Sequence, residues 1–144
     1  MTKTVLIVDG QAISRRLLRF ALELQGYRVV EAGDVFSAVD ALAKINPSLL
    51  VACVDSPDAG SWKLALEIRR RQQPANLPIL FHGESQYREV LNAGMIGNCA
   101  WLDKPYRMGD LHSLVEALLD HPLLPGNSTA HRCQVPVAFR RENA

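Results

Sequence analysis

Asn46-Pro-Ser-Leu-Leu-Val-Ala-Cys-Val-Asp-Ser-Pro-Asp-Ala-Gly60 is the stretch on which the fold turns. An apolar run, Leu49 to Ala52, stops at Cys53, and a loop rich in Pro, Asp and Gly follows at once. In proteins that alternate strands with helices, ligands bind where a buried strand ends and its loop begins. That position carries a thiol here, where a carboxylate would make an obvious active site.

Outward from this strand the chain alternates. Val5-Leu-Ile-Val8 is a continuous apolar run ending at Asp9-Gly10, the pattern of a strand buried on both faces. Over 13–25 the period changes: Leu17, Phe20, Ala21 and Leu24 recur at helical spacing, which predicts a buried stripe with Arg15, Arg16 and Arg19 toward solvent. Gly26 closes that helix. Arg28 to Glu31 is a short second strand, and Asp34 is placed to cap a helix with Val35, Val39 and Leu42 inward. After the third strand, a helix over about 61–72 has Ser61 as its cap and Leu64, Ala65 and Ile68 inward. Leu77 to Phe81 is strand four, a weaker helix covers roughly 85–95, Cys99 to Leu102 is strand five, and a last helix over about 108–120 aligns Leu111, Leu114, Val115 and Leu118.

Five βα units in series predict right-handed crossovers and a parallel sheet covered on both faces. The expected class is α/β, a flavodoxin-like doubly wound (βα)5 three-layer sandwich with strand order 2-1-3-4-5. That topology gathers Asp9, Gly10, Cys53, Gly83 and Lys104 at the C-terminal edge of the strands. Residues 1–120 are expected to form this domain. Residues 121–144, with three prolines and a basic cluster, read as a C-terminal tail, partly disordered or docked.

Composition narrows the function classes. At 144 residues, 48% hydrophobic and 22% charged, the chain has the makeup of an ordinary globular domain. A formal net charge of +1 gives no strong attraction to DNA or to an anionic membrane. No apolar run approaches a bilayer span, no signal sequence is evident, and three unevenly spaced cysteines form no disulfide framework, so a reducing cytoplasm is expected.

Taken together, these segments resemble a bacterial response-regulator receiver domain of the chemotaxis-regulator type, over roughly residues 3–120. The resemblance rests on Val5-Leu-Ile-Val-Asp9, Glu31-Ala-Gly-Asp34, Ala38 to Leu42, Leu77-Pro-Ile-Leu80 and Lys104-Pro105. It also rests on Pro47 six residues before Cys53 and Pro57 four after it. In that family an acidic pair and an acceptor aspartate hold Mg²⁺, a strand-four Thr or Ser and a Lys contact the phosphoryl group, and a strand-five aromatic reports the state. The matching residues are Asp9 and Gly10, then Cys53, Gly83, Lys104 and Trp101. The second acid, the acceptor and the switch hydroxyl are therefore absent. Mg²⁺ binding is not expected, because a thiol and a glycine are poor substitutes for oxygen ligands of a hard ion.

The resemblance thus implies a stand-alone degenerate receiver, not an enzyme and without a cofactor. It would act by protein–protein contact in two-component or related phosphorelay signalling. Its partner would be a histidine kinase, a phosphotransfer protein or an effector, and a homodimer through the face of helix four, strand five and helix five is a further expectation. The alternative is a ligand-switched regulator, phosphorylated at Asp55 or binding a cyclic dinucleotide through its arginines. Asp55 shares side-chain parity with Cys53 but lies one pleat, ~6–7 Å, further on. Asp9 and Lys104 are expected to form a direct ion pair, with Lys104-Pro105 cis as in the family. A redox-active Cys53, its pKa lowered by Lys104, is a minor expectation.

Overall fold

The computed structural model describes residues 2–55, 60–71, 76–88 and 98–120. Pro57 and Asp58, most of the helix expected over 85–95 and the tail over 121–144 lie outside them. The elements run β1 (Thr4–Val8), α1 (Ala12–Leu24), β2 (Arg28–Ala32), α2 (Val35–Lys44), β3 (Leu49–Cys53), α3 (Gly60–Arg71), β4 (Ile79–Gly83), a single 3₁₀ turn (Ser85–Tyr87), β5 (Cys99–Asp103) and α4 (Met108–Asp120). All strand pairs are parallel, in the order β2-β1-β3-β4-β5. This is the flavodoxin-like topology that the alternation predicts.

Alternation of side chains divides the core in two. Leu6, Val8, Leu50, Ala52, Ile79, Phe81 and Trp101 face α2 and α3, where Trp62 packs on Phe81 with ring centroids 5.7 Å apart. Val5, Ile7, Leu49, Val51, Leu80, Ala100 and Leu102 face α1 and α4, whose Leu111, Leu114, Val115 and Leu118 are all buried as their spacing predicts.

Two helices present other faces than their periodicity implied. In α1 the buried residues are Leu18, Ala21 and Leu22. Ile13, Leu17, Phe20 and Leu24 stand in solvent, 57–78% exposed. The helix has more apolar positions than one face can bury. Its rotation agrees with Arg15, which donates from Nε to Glu31 Oε1 (3.0 Å) and from Nη1 to the Asp9 carbonyl (2.7 Å). In α2 only Ala38 is fully buried; Val35 and Leu42 pack at the margin of the core and Val39 is exposed. Asp34 does cap this helix, accepting from the Ser37 amide at 2.7 Å. Ser61 is not a cap: it lies inside α3 and its hydroxyl donates to the Cys53 carbonyl, tying the helix to the end of β3.

Candidate functional site

Strand register builds the site. Val8 lies beside Ala52, so Asp9 follows on toward Cys53, and Cys53 pairs with His82 across β3 and β4. Asp9 shares parity with Val5 and Ile7, Cys53 with Val51, and His82 with Leu80. All three therefore belong to the α1/α4 side of the sheet. One oxygen of Asp9, the sulfur of Cys53 and one ring nitrogen of His82 lie within 4.8 Å of one another. The sequence reading missed His82 because it ended strand four at Phe81. The strand continues to Gly83, and extending the alternation from Leu80 would have found it.

Asp9 is almost wholly buried. Its Oδ1 accepts from the Gln11 amide at 2.9 Å, while Oδ2 has no hydrogen-bond partner. The His82 Nε2 nearest to it is 3.9 Å away, and both ring nitrogens of His82 are likewise buried and unpartnered. Leaving such a group unsatisfied costs about 1–3 kcal/mol. Burial, with the Lys104 charge adding to it and Asp9 opposing, pushes the His82 pKa down to about 4. The imidazole is therefore neutral at pH 7. Tyr106 meets its ring edge-on, with centroids 6.1 Å apart.

Lys104 does not form the direct ion pair expected with Asp9. Its Nζ lies instead 3.5 Å from Cys53 Sγ, and its amide donates to the Gly83 carbonyl at 2.8 Å. The Lys104-Pro105 peptide is cis. Nor is the thiol activated: burial first, and then Asp9, push its pKa up, outweighing Lys104. Cys53 is half-buried. Asp55 is exposed and lies beyond the end of β3. It shares with Asp9, Gly10, Cys53 and Ser61 the lining of a cleft of about 240 Å³. A larger cleft, about 440 Å³, opens at the other edge of the sheet among Lys3, Tyr27 and Asp120, far from these groups.

Gly83 and Trp101 belong to the opposite side of the sheet. A Cβ at Gly83 would stand 2.2 Å from the Val54 carbonyl oxygen and 3.2 Å from the Trp101 ring. Trp101 is fully buried and donates from Nε1 to Asp103 Oδ1 at 2.6 Å, and Asp103 in turn faces Arg88 at 3.6 Å.

Comparison with known proteins agrees with this architecture. Residues 5–116 match the response regulator receiver domain, and the chain belongs to that family. It is 30% identical over 119 residues to the KDP operon transcriptional regulatory protein KdpE of Escherichia coli, covering 83% of this chain and 52% of that protein. It is 27% identical over 129 residues to the phosphate regulon transcriptional regulatory protein PhoB of Pseudomonas aeruginosa, covering 89% and 56%. The chain thus spans about half the length of these relatives. Among solved structures, chemotaxis protein CheY4 of Vibrio cholerae superposes with a TM-score of 0.72 at 23% identity, over 83% of this chain and all of that one. A putative response regulator from Chloroflexus aurantiacus gives 0.75 at 24%, over 84% and 100%. The chain is therefore a receiver domain of the two-component response-regulator type. No helix among the described residues is long and apolar enough to cross a membrane.

Proposed function

We propose that this receiver is degenerate and signals by protein–protein contact, without ordinary aspartyl phosphorylation. The observation that carries the reading is the sulfur of Cys53 at the end of β3, with Lys104 Nζ against it. No carboxylate occupies the acceptor position. Receiver domains usually hold Mg²⁺ beside that position, but the donors here do not suit it. Mg²⁺ takes near-octahedral oxygen ligands, whereas Gly10 offers no side chain and Cys53 and His82 offer sulfur and nitrogen. Without that ion, phosphoryl transfer lacks the charge neutralisation on which it depends.

The exposed row Ile13, Leu17, Phe20 and Leu24 on α1 supports the second half of the reading. It is an apolar stripe at i, i+4, i+7 and i+11, next to the cleft in sequence. Such spacing suits docking against a partner helix. The partner would be a histidine kinase, a phosphotransfer protein or an effector. Residues 121–144 would lie outside the domain proper as a partner-specific extension.

The cyclic-dinucleotide reading gains nothing from the geometry. Arg15 and Arg19 are engaged by Glu31 and Glu23, and Arg70 and Arg71 by Glu67. The helices carrying these groups lie on opposite faces of the sheet. Phosphorylation at Asp55 is tested directly by intact mass after incubation with a small-molecule phosphodonor and Mg²⁺. The expected result is no phosphoryl increment; a stable adduct on the folded protein would sink the proposal. Phe20→Glu should abolish capture of the partner kinase or effector while changing the thermal midpoint little, since Phe20 is 63% exposed.

A further inference from the structure

The row Asp9, Cys53 and His82 is an arrangement that the signalling role does not use. Carboxylate oxygen, thiol sulfur and imidazole nitrogen converge within 4.8 Å, from three adjacent strands. The orphan atoms point to what is missing. Asp9 Oδ2 and both nitrogens of His82 are buried without a hydrogen-bond partner, and His82 is about 1% exposed. Buried polar atoms are nearly always satisfied, and an unbound ion is among the standard explanations for exceptions.

We propose that Asp9, Cys53 and His82 form a site for a borderline-soft divalent cation, Zn²⁺ being the best fit. Zn²⁺ accepts mixed oxygen, nitrogen and sulfur ligands in a tetrahedron, and sites with three protein ligands leave a fourth position open. Ligands of a tetrahedral zinc stand roughly 3.3–3.6 Å apart at ordinary bond lengths. The carboxylate and imidazole are already 3.9 Å apart. Atoms up to 4.8 Å apart therefore need to close by about 1.5 Å at most, within the reach of side-chain rotations. Asp9 and Cys53, though not His82, line the cleft of about 240 Å³, so the half-buried thiol is the donor by which an ion would enter.

The charges also balance. The carboxylate and a thiolate neutralise the dication, the imidazole binds neutral, and the Cys53 proton leaves to solvent as the metal–sulfur bond forms. Lys104 Nζ, 3.5 Å from the sulfur, then donates to the thiolate as an outer partner. The same donor set disfavours Mg²⁺, so the site differs in chemistry from the oxygen-lined pocket usual in receivers.

The test uses the full chain, stripped with chelator and titrated with Co²⁺ as a spectroscopic stand-in. One equivalent should give a sulfur-to-cobalt charge-transfer band and the visible bands of a tetrahedral ion. Zn²⁺ should abolish both, and excess Mg²⁺ should leave them. Cys53→Ser should remove the charge-transfer band and weaken Zn²⁺ binding by roughly 100-fold or more, at least the loss seen for outer-shell changes. His82→Gln should weaken binding similarly while keeping the band. Cys133→Ser is the control for the thiol next to His131 in the tail and should change nothing. No charge-transfer band in the wild type, a band that survives Cys53→Ser, or one lost in Cys133→Ser would each overturn the proposal. If His82→Gln folds poorly, the Cys53→Ser comparison decides alone, because serine nearly matches cysteine in size.

Discussion

Gly10 and Gly83 stand at the C-terminal edge of the same sheet, and in the proposed degenerate site each stands where a receiver would carry a polar residue. Their surroundings are opposite. A Cβ on Gly10 would meet only the Gly33 carbonyl oxygen, at 3.8 Å, an ordinary contact beside an open cleft. A Cβ on Gly83 would overlap the Val54 carbonyl and press on the Trp101 ring. Around Gly83 the edge is thus filled to the backbone. Around Gly10 it keeps a cleft reaching the starts of α2 and α3, with a half-buried thiol and three buried polar atoms without partners close by. A glycine can stand where its neighbours fill the space or where they leave it open, and this molecule has one of each.

The largest expected effect lies on the filled side. Gly83→Thr would introduce a hydroxyl-bearing residue, but its Cβ meets backbone that no side-chain rotation can clear. Overpacking of a core typically costs 1–3 kcal/mol, and a backbone clash places this change at about 3 kcal/mol or more. Chemical denaturation should show the loss. Trp101→Ala should not rescue it, because truncating a fully buried indole costs about 3–5 kcal/mol by itself and the Val54 carbonyl stays in place. A double-variant loss no larger than that of Trp101→Ala alone would show that the indole alone excludes the side chain.

This difference between two glycines is not visible in the sequence, whereas the fold around them is. The strands near Val5, Val29, Leu50 and Ala100 are short apolar runs, and the last helix has one clear apolar face. These local signals agree with one another, so order and topology follow. Where they conflict, the reading fails. Helix α1 carries apolar residues on two sides, and the choice between Leu17 and Leu18 as the buried one depends on Arg15 finding Glu31, sixteen residues away. The positions of Asp9, Cys53 and Lys104 at one edge follow from register. That Lys104 turns to the sulfur, and that His82 rather than a cation stands nearest the free oxygen of Asp9, depends on side-chain packing. His82 itself was lost through a strand boundary placed two residues early.

The polar side should reveal itself through pH. In metal-free protein the folded state holds His82 neutral down to about pH 4, against 6.5 for the free side chain. Between these values the unfolded chain takes up a proton that the folded state refuses. The shifted titration therefore costs no stability above pH 6.5, and stability falls as pH drops from 6.5 toward 4, by of the order of 3 kcal/mol. Thermal midpoints measured with chelator present should decline over that window. His82→Leu should flatten the decline and leave the midpoint at pH 7 unchanged or higher, since it removes a buried group with no partner. Parallel curves for the two proteins would mean that His82 is hydrated, and that the two sides of the edge differ less than the geometry indicates.

The smallest effect belongs to Gly10→Asp. The new carboxylate would stand beside Asp9, and like charges so placed are unfavourable. It would also precede the first turn of α1, which contains no acidic residue and whose Gln11 cap makes no side-chain hydrogen bond. A negative charge there gains about 0.3–1 kcal/mol from the helix N-terminus. Gly10 is exposed, so both terms are screened and nearly cancel. The net change in stability should lie within about 0.5 kcal/mol, the usual range for surface positions. Thermal melts at low and high salt would check it, because any residual effect should shrink as salt rises. A loss approaching that of Gly83→Thr would mean that the cleft beside Gly10 is closed in solution, and that both glycines are held by packing.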